Sequence, residues 1–332
     1  MTDYTLAQLS NYSVYSAMVV LTLAMLAHGL YLARIVPARE SASTREEAPA
    51  RELVAAGVGS EGSAASAEGA GGATADAVEA EPRSARKAAG IARMLTLLGT
   101  LLLVAGVVLR AAEVHRWPLG NMYEFAIVGA MFTLLAYVGW STRRDLRWLG
   151  LFVVGPVLLV LGAATTVWYT DASELMPSLR SYWLAIHVTV ATMTVAVFTL
   201  GAALGILYLV QDRLEASDAP PRSFMGRLPS ARALERMTYG AHIIAFPMWT
   251  FTVIAGAIWA RQAWGSYWNW DPKEVWSFVI WVVYAAYLHA RATTGWKRQN
   301  AVWIALGGFV CVVLNFAVVN LFLVGMHSYS GL

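Results

Sequence analysis

Charge is scarce in this chain. Lys, Arg, Asp and Glu together supply 14% of 332 residues, against about a quarter in soluble domains. Hydrophobic residues make up 58% and the mean hydropathy is +0.54, which points away from a soluble globule and toward the membrane. A net charge of +3 is too small to suggest nucleic acid as a partner, and none is expected. Cysteine is nearly absent. The single Cys311 excludes an intramolecular disulfide, and without a CxxC the chain is neither a thiol–disulfide carrier nor itself a c-type cytochrome. No paired carboxylates suggest hydrolysis, and no glycine-rich loop precedes a helix to cradle phosphate. The glycine-rich pieces GGAT and IALGGF fall in a low-complexity tract and in an apolar run, where small residues allow helices to approach closely. The start, MTDYTLAQLSNYS, lacks the basic region of a cleavable signal peptide and is expected to stay in the mature chain.

Long apolar runs are plentiful. A helix crosses the bilayer core with about 20 apolar residues. Such runs occur at about 12–34, 91–110, 122–140, 148–168, 182–210, 240–262, 276–291 and 301–326. The expected fold is an all-α, polytopic transmembrane bundle of about eight spans. Its first helix occupies 1–35, and a seven-helix membrane domain occupies 89–332. Between them, 23 of residues 53–82 are Ala, Gly, Ser or Glu, with no aromatic residue. That composition cannot bury enough apolar surface to offset its ordering entropy, so 36–88 are expected to form a disordered cytoplasmic linker. Lys and Arg then set the orientation. One set of connections carries 19 of them and the other only Arg110, Arg116, Arg180, Arg261 and Lys273. Both termini and the loop at 263–276 are therefore expected on the extracytoplasmic face.

That loop holds the densest chemistry. Residues 264–276 read WGSYWNWDPKEVW, with four tryptophans and a tyrosine in thirteen positions. DPKE reads as a helix start: Asp271 as cap, Pro272 in the first turn, Glu274 closing a capping box. An interfacial aromatic belt is the plain reading, but belts spread over several helix ends. Clustering in one loop favours stacked rings around a planar apolar ligand. His187, one turn inside the fifth span, and His327, at the end of the eighth, lie at the level of this loop. An imidazole within a span faces the bundle interior and serves a purpose, so this pair points to axial ligation of haem iron. His289 and His28 lie near the opposite ends of the seventh and first spans. The 13 residues from Trp276 to His289 cover roughly 20 Å of helix, too far to share that site. His242 and His115 are read as structural, and Glu113 and Glu124 as partners for Arg110 or Arg116.

WGSYWNWDPKE resembles the WWD signature of haem-handling proteins in cytochrome c maturation. FPMWTFTVIAGAIWA before it, WSFVIWVVYAAYLHAR after it, and the pieces NLFLVGMHSYSG, SYWLAIH and PLGNMYE are similar to the CcsA/ResC-type subunit of the two-component (system II) cytochrome c synthetase. The resemblance is most specific over 239–330 and absent from 36–88. It implies haem b as a non-covalently bound substrate and an enzymatic role within a holocytochrome c synthase (haem lyase) complex of the cell membrane. Implied partners are a CcsB/ResB-like membrane subunit, apocytochrome c and thiol-reducing maturation proteins. His187 and His327 match the family's outer haem ligands, and His289 its membrane histidine, whose mate comes from the partner subunit; His28 is the runner-up mate on depth alone. Trp264, Gly265, Trp268, Trp270, Asp271 and Trp276 would present the haem, with Arg180, Arg261 and Lys273 as candidate cations for the propionates. Two alternatives stay open: a WWD delivery protein of the multi-subunit (system I) pathway, and a non-haem membrane transporter or scaffold.

Overall fold

The computed structural model describes residues 2–35, 81–172, 174–217 and 224–327. Their regular structure is helical throughout, with eight helices long and apolar enough to cross a membrane. They are α1 (Asp3–Ile35), α2 (Arg83–Val114), α3 (Met122–Ser141), α4 (Gly150–Thr166), α5 (Thr189–Glu215), α6 (Ala231–Trp264), α7 (Pro272–Ala292) and α8 (Arg298–Phe322). The protein is a multi-pass membrane protein of the expected span count. Several helices outrun the hydropathy windows: α6 has 34 residues, about 50 Å at 1.5 Å per residue, well beyond the ~30 Å hydrocarbon core. Most of the expected linker, 36–80, lies outside the described residues. Its expected last part does not: 83–88 form the first turns of α2, where Ala85, Ala88 and Ala89 bury against Tyr31, Leu32 and Ile35. An alanine-rich stretch becomes helical here because it has a partner helix to pack on.

The first two helices pair along small residues. A Cβ at Gly99 would lie 2.7 Å from Leu21, and one at Gly106 would lie 2.9 Å from Val14. The Ser10 hydroxyl donates to the Gly106 carbonyl at 2.9 Å. Backbones approach this closely only where side chains are absent. Helix α5 sits centrally, packed on α3, α6 and α8. Among the eight hydrophobic windows, those of α3 and α5 are the most enclosed (61% buried) and that of α7 the least (22%). One flank of α7 therefore remains for lipid or another protein.

Three core clusters fill the bundle. One joins Tyr31, Leu149, Leu204 and Leu234, a second Leu21, Ile127, Leu161 and Leu184, and a third Phe198, Trp249, Ile280 and Tyr284. His242 is enclosed in the third, its Nδ1 2.7 Å from the Thr238 carbonyl and its ring against Tyr284 and Tyr287. The helix ends next to the aromatic loop are those from which the site is built.

Candidate functional site

Five segments converge at the aromatic end. A π turn, Leu184–Val188, leads directly into α5 and contains His187. Single π turns recur at functional sites because the extra residue re-aims a side chain. Here it aims the imidazole across to α6, with Nδ1 2.9 Å from the Thr252 carbonyl. A carbonyl only accepts, so Nδ1 carries the proton and the lone pair resides on Nε2. The ring occupies the gap left by Gly256, where a Cβ would lie 2.8 Å from its Cε1, and meets the Trp259 edge at 5.7 Å between centroids. A Gly256→Ala variant should therefore displace the imidazole from the Thr252 carbonyl; shifted His187 ring resonances in NMR with the helical circular dichroism unchanged are the expected reading.

The aromatic loop starts where α6 stops. Gly265 supplies the left-handed cap (φ 82°) that only glycine adopts without strain. Asp271 then opens α7 through the expected capping box: its carboxylate accepts from Lys273 N at 2.9 Å, and Glu274 Oε2 accepts from Asp271 N at 3.2 Å and Asn269 N at 2.7 Å. Asp271 has a second task. The segment after α8 crosses it, so that Met326 N donates to Oδ2 at 2.5 Å and His327 Nδ1 lies 2.8 Å from Oδ1. A Cβ at Gly325 would overlap Oδ2, so only glycine lets the chain come this close. Burial alone would raise the Asp271 pKa. The His327 hydrogen bond and charge, with the N–H groups of Lys273 and Met326, outweigh that and hold the carboxyl down at about 2. An ionised Asp271 accepts the Nδ1 proton of His327, so that the neutral form of the ring carries its lone pair on Nε2.

Both histidines line one cavity with about 1390 Å³ of empty space, its open mouth included. Trp249, Trp259, Trp264 and Trp268 form aromatic walls, and Trp264 stands edge-on to His327 at 4.7 Å. Leu119–Met122 and Phe125 close the side at the start of α3, where Asn121 caps the helix by accepting from Glu124 N at 2.9 Å. Beneath that wall, Glu124 is fully buried between Arg110 (3.1 Å) and Arg116 (2.7 Å), and Glu113 pairs with Arg110 at 3.3 Å. Lys273 lines the cavity, its ammonium donating to the Asn315 carbonyl at 2.9 Å and to Asn320 Oδ1 at 2.7 Å. Among the described residues, no group of three or more His, Cys, Asp or Glu side chains could hold a bare metal ion.

Several expected site residues lie elsewhere. Trp270, at φ 56°, is 78% exposed, and Trp276 is outside the cavity lining. Arg180 is exposed and paired with Glu174 at 2.7 Å, and Arg261 turns back onto the Gly265 carbonyl. His289 is exposed on the surface of α7. His28 is buried beside Thr96 (3.1 Å) and the edge of Tyr137, on a helix that packs chiefly on α2 and α4. His28 and His289 do not meet. His115 faces Asp3 at the surface. The residues the motif reading missed are Trp249, Thr252, Gly256 and Trp259. Their spacing of three, four and three puts them on one face of α6, a signal present in FPMWTFTVIAGAIWA.

The profile described as "Cytochrome C assembly protein" matches residues 119–327, the segment that builds the cavity. The cytochrome c biogenesis protein CcsA of Parasynechococcus marenigrum (strain WH8102) is 32% identical over 281 residues, covering 74% of this chain and 88% of that protein. CcsA of Chlamydomonas reinhardtii is 34% identical over 251 residues, covering 74% and 69%. Among solved structures, the cytochrome c haem lyase CcmF superposes over 95% of this chain with a TM-score of 0.56 at 17% identity, a likeness of fold. The chain spans about half the length of that protein (47%). The chain belongs to the cytochrome c assembly protein family, as a CcsA-type member.

Proposed function

We propose that the chain is the haem-handling subunit of a system II cytochrome c synthetase, which brings haem b to the extracytoplasmic face of the cell membrane and presents it to apocytochrome c. The observation that carries this reading is the meeting of His187 and His327 in one cavity walled by tryptophans. Each is hydrogen-bonded through Nδ1. Iron in a tetrapyrrole needs two further ligands, which a histidine pair supplies. The indoles offer flat apolar faces for the macrocycle, and Lys273 is the one cation of the three candidates that lines the cavity, suited to a propionate. Haem here is substrate rather than resident cofactor.

In this reading the cytoplasmic face is the end bearing His289. Its exposure on α7, the least enclosed helix, suits a ligand completed by the CcsB/ResB-like partner, because an imidazole facing lipid alone would be costly. At the other end, the CxxCH segment of apocytochrome c docks at the cavity mouth. Each thiol adds across a vinyl group, the sulfur bonding to the inner vinyl carbon and the proton going to the outer one. The chain contributes positioning: holding vinyl and thiol in reach removes much of the entropic barrier. Coexpression with one CcsB/ResB-like partner and an apocytochrome, in a host without its own pathway, tests the reading. The purified complex should show a Soret band and the cytochrome should stain for covalent haem. A colourless complex, or haem that passes only to a chaperone, would favour the alternatives.

A further inference from the structure

The two histidines are held by partners of different charge. His187 donates to the neutral Thr252 carbonyl. His327 lies on Asp271, which is 95% buried and whose two oxygens also accept backbone N–H groups from Lys273 and Met326. Hydrogen bonds to an ionised acceptor are roughly twice as strong as neutral ones, and a carboxylate behind a ligating imidazole raises its donor strength. The backbones differ as well. His187 belongs to a five-residue π turn, a rare element that recurs at functional sites. His327 is tied down by the Gly325 crossing. We propose that these partners divide the labour of the pair: His327 stays on the iron, and His187 is the ligand that yields to the histidine of the incoming CxxCH. Asp271 is then a positioning residue acting through His327.

The inference rests on bis-histidine ligation and is tested so that the two can fail separately. The probe is a CxxCH heptapeptide with both thiols alkylated, added to the haem-loaded complex of the full chain with its partner. In His187→Gly the peptide has no ligand to displace and should bind about 10-fold or more tighter than in the unaltered protein, whereas His327→Gly should show no such gain. Asp271→Asn should weaken haem binding by about 10–100-fold and raise the haem reduction potential, a shift that a purely structural cap would not produce. A measurement on the unaltered protein covers the case of variants that fail to fold. Carbon monoxide takes the exchangeable position on ferrous haem, and the C–O stretching frequency reads the donor strength of the histidine that remains. A frequency typical of a carboxylate-backed imidazole supports the division; one typical of a neutral partner overturns it. An equal or larger peptide gain in His327→Gly also overturns it. If neither histidine variant changes the haem spectrum, bis-histidine ligation itself fails.

Discussion

Replacing either His187 or His327 with glycine should weaken the Soret band of the copurified complex and abolish cytochrome maturation, with added imidazole partly restoring both. The expectation follows from how each ring is seated. Glycine leaves a void of imidazole size against Thr252 or Asp271, and free imidazole can enter that void and meet the same acceptor. Phenylalanine would test only loss, because its own ring would fill the void. Rescue separates a missing ligand from a collapsed helix bundle. Survival of both the spectrum and maturation without the two histidines would remove the proposed site.

Glu124→Ala should be the most destabilising single change near the cavity. The carboxylate is fully buried and accepts from Arg110, Arg116 and the Gly120 backbone N–H, the last at 2.7 Å. Arg110 is 1% exposed and, of its hydrogen-bond partners, would keep Glu113 and the Thr170 carbonyl (2.9 Å). Removing one member of such a buried pair costs about 3–5 kcal/mol, because the other charge is left uncompensated. Measured against typical stabilities of about 5–15 kcal/mol, that is a large fraction. Thermal unfolding in detergent reads it directly, and haem affinity should fall too, since Gly120 and Asn121 line the cavity. Glu174→Ala provides the contrast: its pair with Arg180 is solvent-exposed on both sides and its loss should leave the transition unmoved. Equal effects from the two would refute this account of the wall.

Much of the architecture was legible because the bilayer makes it so. A span must be long and apolar, and few sequences satisfy that by accident. The DPKE start of α7 was legible because capping is local chemistry, and the pairing of Glu113 and Glu124 with the nearby arginines because buried charges need partners. Which tryptophans face the cavity was not. Trp268 and Trp270 are two residues apart, yet the left-handed backbone at Trp270 turns its indole to solvent, and spacing does not encode that angle. Arg180 was a fair propionate candidate by depth, but it is exposed and pairs with Glu174 at 2.7 Å. The glycines at 256 and 325 carry no chemistry of their own. They matter as absences of side chain beside rings whose positions only the fold reveals. The π turn at His187 belongs to the same class, since its extra residue answers a contact with α6 and no run in SYWLAIH.

The crossing of the C-terminal segment over Asp271 has a consequence for when the protein becomes able to bind. During synthesis the aromatic loop and α7 emerge before α8, and the chain from 325 to 327 comes later still. Until then Asp271 can cap its helix, but His327 is not there to be seated, and His187 stands alone at the cavity wall. On the proposed reading, a nascent chain with its tryptophans already in place would lack the second ligand for iron. Competence to hold haem would then come with the docking of 325–327, and a half-made bundle would be poorly equipped to sequester a reactive macrocycle that it could not yet pass on.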